Sequence, residues 1–398
     1  MIMKRYPCQQ FIYLDNQATT PVDPRAVEAM MPYFTESYGN PSNMSHRLGS
    51  DASAAIEVSR KNLAHFVGAA TEKEILFTSG ATESNNLAII GVTEKLRKQG
   101  NHIITSSVEH PSIMATCKSL EKNGFDVTFL PVDSDGLVNP SNLEAALTDH
   151  TILVSIMHVN NEIGTIQPLE EIGSMTRERG VIFHTDATQS LGKIPFDVDK
   201  LKIDLASFSA HKVYGPKGAG ALYVRGRPRR INLEPRLKGG EQEFGLRPGT
   251  QNVPGIVGFG TAVQILQSEA AKEARRILDL RRRFRLLLLR ALDNIRINGS
   301  LEQRVPQNLS VCFDGVDAEE LMRLLPEVAM SSGSACSSGT AEPSHVLMAL
   351  GLDKKRARST IRFSFGRFNT LQDVEAAAAR IVKKVSVLRS IAPSNIGN

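Results

Sequence analysis

The sequence predicts an α/β protein: a large domain on a mostly parallel seven-stranded sheet, followed by a smaller α/β C-terminal domain. Three observations carry this expectation. From Glu74 to Val224, short β-branched apolar runs alternate with longer amphipathic stretches, the pattern of a parallel sheet covered on both faces. Gly100, Gly124 and Gly180 stand where the intervening helices should stop. After a Gly-rich polar stretch at 238–254 the composition shifts to a long basic amphipathic pattern, which marks a second unit. The length agrees, because 398 residues exceed the roughly 100–200 of a single domain.

In chain order, the strand signals of the large unit are 75–78, 102–106, 127–131, 152–158, 181–185, 204–209 and 220–224. Helical periodicity fills 81–99, 111–123, 140–148 and 169–179 between them. The stretch 238–254 reads as a long functional loop, and 257–297 as one long helix leaving the sheet. Beyond it, 305–309, 329–332 and 360–364 read as short strands, with helices at 318–325, 345–350 and 371–392.

Composition narrows the class. With 41% hydrophobic and 22% charged residues, the chain is globular rather than disordered, collagen-like or coiled coil. Forty-seven basic against 42 acidic residues leave a formal +5 that names no partner. The densest basic runs, 225–230 and 281–285, read as solvated surface, so no direct nucleic-acid binding is expected. The four cysteines, Cys8, Cys117, Cys312 and Cys336, form no CxxC pair and no cluster with histidine. Neither a metal site nor a disulfide framework follows. No signal-peptide pattern opens the chain, and no apolar run approaches the ~20 residues that span a bilayer. A reducing, cytoplasmic setting with no membrane partner is the expectation, and there an isolated cysteine is either packing or chemistry.

Ligands of open parallel sheets bind at the carboxyl ends of the strands, so the residues that follow each apolar run decide function. After the first run comes Ser79-Gly80-Ala81-Thr82, small residues opening a helix and therefore an anion cradle. Later runs end in Glu109-His110, Asn160-Asn161, Asp186 with Gln189, and Ser209-Ala210-His211-Lys212. Each alone is an ordinary loop or cap. Together they put an anion cradle, an aromatic base, an amide, a carboxylate and a lysine on one rim. No GxxxxGK[ST] is present and no GxGxxG follows a strand, so nucleotide readings are weak. An inward lysine, a carboxylate for a ring nitrogen, a stacking histidine and a phosphate cradle are the requirements of pyridoxal 5'-phosphate.

The motifs Phe77-Thr78-Ser79-Gly80-Ala81-Thr82-Glu83-Ser84-Asn85, His158-Val159-Asn160-Asn161-Glu162, His184-Thr185-Asp186-Ala187-Thr188-Gln189, Ser209-Ala210-His211-Lys212 and Ser332-Gly333-Ser334-Ala335-Cys336 occur in this order. In them the chain resembles the cysteine desulfurases, fold-type I pyridoxal-phosphate enzymes of the class V aminotransferase superfamily, in the housekeeping iron–sulfur and nitrogenase-type group. The resemblance implies a large cofactor-binding domain over 16–264 and a small domain from 1–15 and 265–398, carrying a catalytic cysteine loop at 331–339. It implies Lys212 as the Schiff-base lysine, Asp186 on the ring nitrogen, Gln189 on the ring hydroxyl, and His110 stacked on the ring and active in proton transfer. The phosphate would lie on Ala81, Thr82, Ser209 and His211, with Thr250 reaching in from the second subunit of a homodimer. Asn161, also beside the cofactor, and Arg362 would hold the substrate carboxylate, and Cys336 would be the nucleophile.

On this reading L-cysteine is the substrate, and Cys336 takes its sulfur as a persulfide while L-alanine leaves. The small residues around Cys336 suit a nucleophile that must travel. The sulfur then passes to an acceptor protein, an iron–sulfur scaffold or a thiolation partner. The chain ends soon after Ala392-Pro393, whereas scaffold-serving members continue further, so the acceptor stays open. A selenocysteine lyase or an aminotransferase of the same superfamily is the alternative. An aminotransferase has no use for a cysteine in such a loop.

Overall fold

The computed structural model describes residues 11–332 and 342–391. Its strands, in chain order, are β1 (Ile12–Tyr13), β2 (Ile75–Thr78), β3 (His102–Ser106), β4 (Asp126–Leu130), β5 (Thr151–Ser155), β6 (Ile182–Asp186), β7 (Leu205–Ser209), β8 (Gly220–Val224), β9 (Ile295–Ile297), β10 (Asn308–Phe313), β11 (Val328–Ala329), β12 (Ser331–Ser332) and β13 (Thr360–Ser364). The helices are α1 (Pro24–Met30), α2 (Pro32–Thr35), α3 (Arg47–Val67), α4 (Ala81–Leu96), α5 (Pro111–Glu121), α6 (Pro140–Ala146), α7 (Leu169–Glu178), α8 (Val253–Ala291), α9 (Ala318–Arg323), α10 (His345–Ala349), α11 (Lys354–Arg358) and α12 (Leu371–Ile391).

The central sheet has seven strands in the order β2-β8-β7-β6-β5-β3-β4. All pairs are parallel except those of β8, which runs antiparallel to both β2 and β7. Successive side chains of a strand point to opposite faces, and both faces are apolar here. Phe77, Ile104, Phe183, Phe208 and Tyr223 enter one core, beside Ile56 and Leu63 of α3 and Phe259 of α8. Leu76, Ile103, Ile182, Leu205 and Leu222 enter the other, beneath Leu87 and Ile89 of α4 and Ile113 of α5. This two-sided burial is why the strand runs are near-continuously apolar in sequence.

A four-stranded antiparallel sheet, in the order β12-β13-β10-β9, carries the third core. Phe284 of α8 packs its ring 4.9 Å from that of Phe363 and 5.4 Å from that of Phe365. Ile381 and Val385 of α12 close the same core. α8 is 39 residues long and changes partner along its length. Residues up to Leu266 pack on the large sheet, and those from Ile277 to Leu288 on the small one.

Beyond elements that the sequence pattern does not predict, such as α1 to α3, the structure shifts boundaries around α8 and the strands that follow it. α8 begins at Val253 rather than 257, because Pro254 occupies its first turn and Asn252 caps it, accepting from the Gly255 N–H at 3.1 Å. It ends at Ala291, and 295–297 forms a strand. Asn294 (φ 53°) takes a left-handed turn between them. The strand expected at 305–309 lies at Asn308–Phe313.

Candidate active site

The carboxyl ends of β2, β5, β6 and β7 meet at a cavity of ≈ 670 Å³. Ala81, Thr82, His110, Asn161, Asp186, Gln189, Ser209, His211, Lys212 and Arg362 all line it. Ten residues singled out from separate motifs thus share one space. Thr250 is exposed and lies outside the lining of its own chain's cavity. Cys336, Cys8 and residues 333–339 of the expected cysteine loop lie outside the described residues.

β2 delivers the chain to Gly80, the N-cap of α4. A Cβ at Gly220 on the neighbouring β8 would lie 2.5 Å from the Gly80 Cα. Only glycine there lets the two backbones approach so closely. The first turn of α4, with Ala81 and Thr82, therefore opens onto the cavity with N–H groups that no helix satisfies internally. Ser209 ends β7, and His211 and Lys212 follow in a single 3-10 turn.

Lys212 Nζ donates to the Gln17 and Ala18 carbonyls, 2.6 Å each. Burial, with the Arg362 charge, lowers its pKa to about 8 against the opposing pull of Asp15 and Asp186. The amine is thus closer to its neutral, nucleophilic form than an exposed lysine. Burial, with Lys212 and Lys217 beside it, also lowers His211 to about 4, so its ring is neutral and accepts or donates at Thr19 Oγ1, 3.1 Å away.

Asp186 accepts from the Asn85 side chain and from the Thr188 N–H, both at 2.9 Å. His110 caps α5 through Nδ1, which accepts the Ser112 N–H at 3.2 Å. Burial pulls its pKa down, with Asp186 opposing and Lys212 and His345 adding to the fall. Gln189 Nε2 donates to the Gln17 carbonyl at 3.1 Å.

Arg362 reaches the cavity from the small sheet. Its Nη1 donates to the Asn161 carbonyl at 2.8 Å, and its Nη2 to Asp15 at 2.8 Å and to Ser331 at 3.0 Å. Arg362 Nε is buried with no partner, as are Thr188 Oγ1 and Gln17 Nε2. All three residues line the cavity. Unused buried donors in a wall are costly unless a bound molecule takes them up. An anion at the helix terminus, a ring between His110 and Asp186, a carbonyl within reach of Lys212 and a carboxylate at Arg362 fit this donor set.

Sequence reasoning did not single out Asp15, Gln17, Asn85, Ser112 or Thr188. Asn85 and Thr188 sit inside the motifs quoted above, but the partner of Asn85, Asp186, lies 101 residues along the chain. Cys117 and Cys312 are buried, and burial pushes both thiols up to about 12. They are packing residues rather than nucleophiles.

A family model described as Aminotransferase class-V matches residues 12–377. A protein of Anaeromyxobacter sp. (strain Fw109-5) named Cysteine desulfurase IscS is 52% identical over 382 residues, 96% of this chain and 94% of the relative. Among solved structures, a NifS-like protein superposes with a TM-score of 0.88 at 39% identity, over 95% of this chain and all (100%) of that one. A structure described as SspA in complex with cysteine gives 0.80 at 42% identity, over 90% of this chain and 100% of the other.

Proposed function

The chain belongs to the class-V aminotransferase family, and from its near-full-length likeness to cysteine desulfurases we propose that it is itself one, converting L-cysteine to L-alanine and a protein-bound persulfide on Cys336. The observation that carries this reading is the convergence of Lys212, Asp186, His110, Arg362 and the α4 terminus on one cavity. Pyridoxal 5'-phosphate is the proposed cofactor. When bound, it supplies a carbonyl for amine exchange and a cationic ring that accepts the electrons of a broken bond at the substrate Cα.

The chain's own groups divide the remaining work. Ala81, Thr82, Ser209 and His211 hold the phosphate, joined by Thr250 of the partner subunit in a homodimer. Asp186 would accept from the ring nitrogen and hold it in its protonated form, and Gln189 would meet the ring hydroxyl. Asn161 and Arg362 orient the substrate carboxylate, with Arg362 Nε the donor still to be satisfied. Lys212 Nζ, lowered to about 8, would hold the cofactor carbonyl until the substrate amine displaces it, and the freed amine would then move the Cα proton. The Cys336 thiolate attacks the substrate sulfur. A sulfur–sulfur bond forms, the carbon–sulfur bond breaks, and its electron pair returns to carbon, where protonation completes alanine.

An acceptor protein then takes the persulfide sulfur, with an iron–sulfur scaffold or a thiolation partner as the proposed recipient in the cytoplasm. Among the described residues, no helix is long and apolar enough to cross a membrane. Cys336→Ala tests the reading. The variant should bind the cofactor with the visible absorbance of wild type yet release neither alanine nor sulfide from cysteine. Sulfide release at the wild-type rate would remove Cys336 from the mechanism.

A further inference from the structure

Two side chains outside the expected site connect Asp186 to His110. Asn85 on α4 donates through Nδ2 to Asp186 Oδ2 and to Ser112 Oγ, each at 2.9 Å. Ser112 Oγ lies 2.9 Å from His110 Nδ1, and the Ser112 N–H donates to the same nitrogen at 3.2 Å. Asn85 is 0% and Ser112 9% exposed, so water does not compete for these bonds.

The direction of each bond follows from valence. Reversing the Asn85 amide would set its oxygen against the Asp186 carboxylate, so both N–H bonds face their acceptors even though Asn85 Oδ1 is left buried without a partner. Ser112 Oγ accepts from Asn85 and keeps its own hydrogen to give. His110 Nδ1 must accept the backbone N–H that it caps, so it carries a lone pair and takes the Ser112 hydroxyl hydrogen as well. The ring proton is therefore on Nε2.

We propose that Asn85 and Ser112 are positioning residues for the reaction: the chain Asp186–Asn85–Ser112–His110 holds the histidine as a neutral ring protonated on Nε2 and ties its orientation to that of the carboxylate. A proton arriving at Nδ1 would face the Ser112 N–H, so the ring resists becoming imidazolium. Of the charged groups around it, Asp186 favours the cation, whereas Lys212 and His345 oppose it. His110 thus enters the cavity as a hydrogen-bond donor whose geometry is set before substrate arrives.

This inference rests on the proposed function only in taking His110 and Asp186 as cofactor-facing groups, and its test separates the two. Protein labelled with ring-¹⁵N histidine is examined with and without pyridoxal phosphate, with the His110 signals assigned by their loss in His110→Gln. Wild type should show a neutral Nε2–H ring from about pH 6 to about pH 8, spanning the ordinary histidine range. Ser112→Ala keeps the backbone cap, so the helix start survives and Nδ1 keeps its lone pair, but the hydroxyl bond that ties the ring to Asn85 is lost; the Nδ1 signal should move toward that of a less strongly hydrogen-bonded nitrogen, and Ser112→Thr should restore it. Asn85→Ala, which cuts the Ser112 hydroxyl loose from Asp186, should move the same Nδ1 signal by less than Ser112→Ala does. With cysteine, Ser112→Ala should lose about tenfold in kcat with little change in KM. An Nδ1–H or imidazolium ring in wild type, or an unaltered ring in Ser112→Ala, overturns the proposal. Absence of alanine formation would instead count against the function and leave the ring signals as they are.

Discussion

Glu109, the residue before His110, is wholly buried, and its Oε1 accepts from Ser106 at 2.7 Å and the Met157 N–H at 2.9 Å. Its Oε2 has no partner. Burial raises its pKa to about 8, with the Asp186 charge adding to the rise. The folded chain therefore keeps a proton that the unfolded chain loses near the ordinary carboxylate pKa. The stability this contributes is complete below that pKa and is lost as pH rises through about 8. Glu109→Gln, neutral at every pH, should match wild type in melting temperature near pH 5 and exceed it near about pH 9. Parallel melting curves across that range would show that Glu109 is ionised in the fold. Lys212 shifts the opposite way, to about 8 from the ordinary 10.5 of a lysine. Capture of added pyridoxal phosphate by cofactor-free protein, followed by absorbance, should accelerate as pH rises through about 8 and then level off, with Lys212→Ala showing no capture. A rate flat across that range would mean that another step controls loading.

At the scale of elements, the α3–α8 contact depends on a missing side chain. A Cβ at Gly260 would lie 2.5 Å from both Cβ and Oγ of Ser59 on α3. Gly260→Val should force the two helices apart at a cost of about 1–3 kcal/mol. Calorimetry should then show a melting temperature a few degrees lower, of order 2–4 °C per kcal/mol for a domain of this size. An unchanged melting temperature would mean that the helices slide without loss. α3 itself was invisible to periodicity. Its buried positions include Gly49, Ala52, Ser59 and Arg60, so the apolar stripe is thin. Arg60 lies in the interior because Glu243 meets it at 2.7 and 2.9 Å, a partner 183 residues away. The strands of the large sheet were legible, by contrast, since burial on both faces writes itself as continuous apolar runs.

The whole molecule brings the N-terminal segment, the long helix and the small sheet to the lysine turn. Gln17 is held by Asn308 at 2.6 Å and by Ser364 at 2.8 Å, while its carbonyl receives Lys212. Arg367 bonds Asp23 at 2.6 Å and Glu273 at 2.7 Å, and its guanidinium stacks 4.2 Å from the Tyr214 ring centroid, two residues beyond Lys212. The proposed dimer adds a second level of assembly with a definite genetic signature. In a mixed dimer with Thr250→Ala on one protomer and Lys212→Ala on its partner, one site keeps both groups and should run at about half the wild-type activity. Placing both substitutions on the same protomer should leave no complete site and much less activity. The reverse order of activities would confine Thr250 to its own subunit, and equal activities would remove it from the site altogether.

Most of the candidate site could be read from the chain because each motif couples a strand to the turn after it, and hydrophobic period, helix start and turn chemistry are local properties. Lys212, Asp186, His110 and the Ala81-Thr82 cradle were legible for that reason. The partners of those groups were not. Asp15 meets Arg362 across 347 residues and Asn85 meets Asp186 across 101, contacts that sheet order and register create and no local preference encodes. Residue types thus specified which chemistry was possible, whereas folding decided which protons are held, where, and against which charge, because burial and hydrogen-bond partners exist only once distant segments meet.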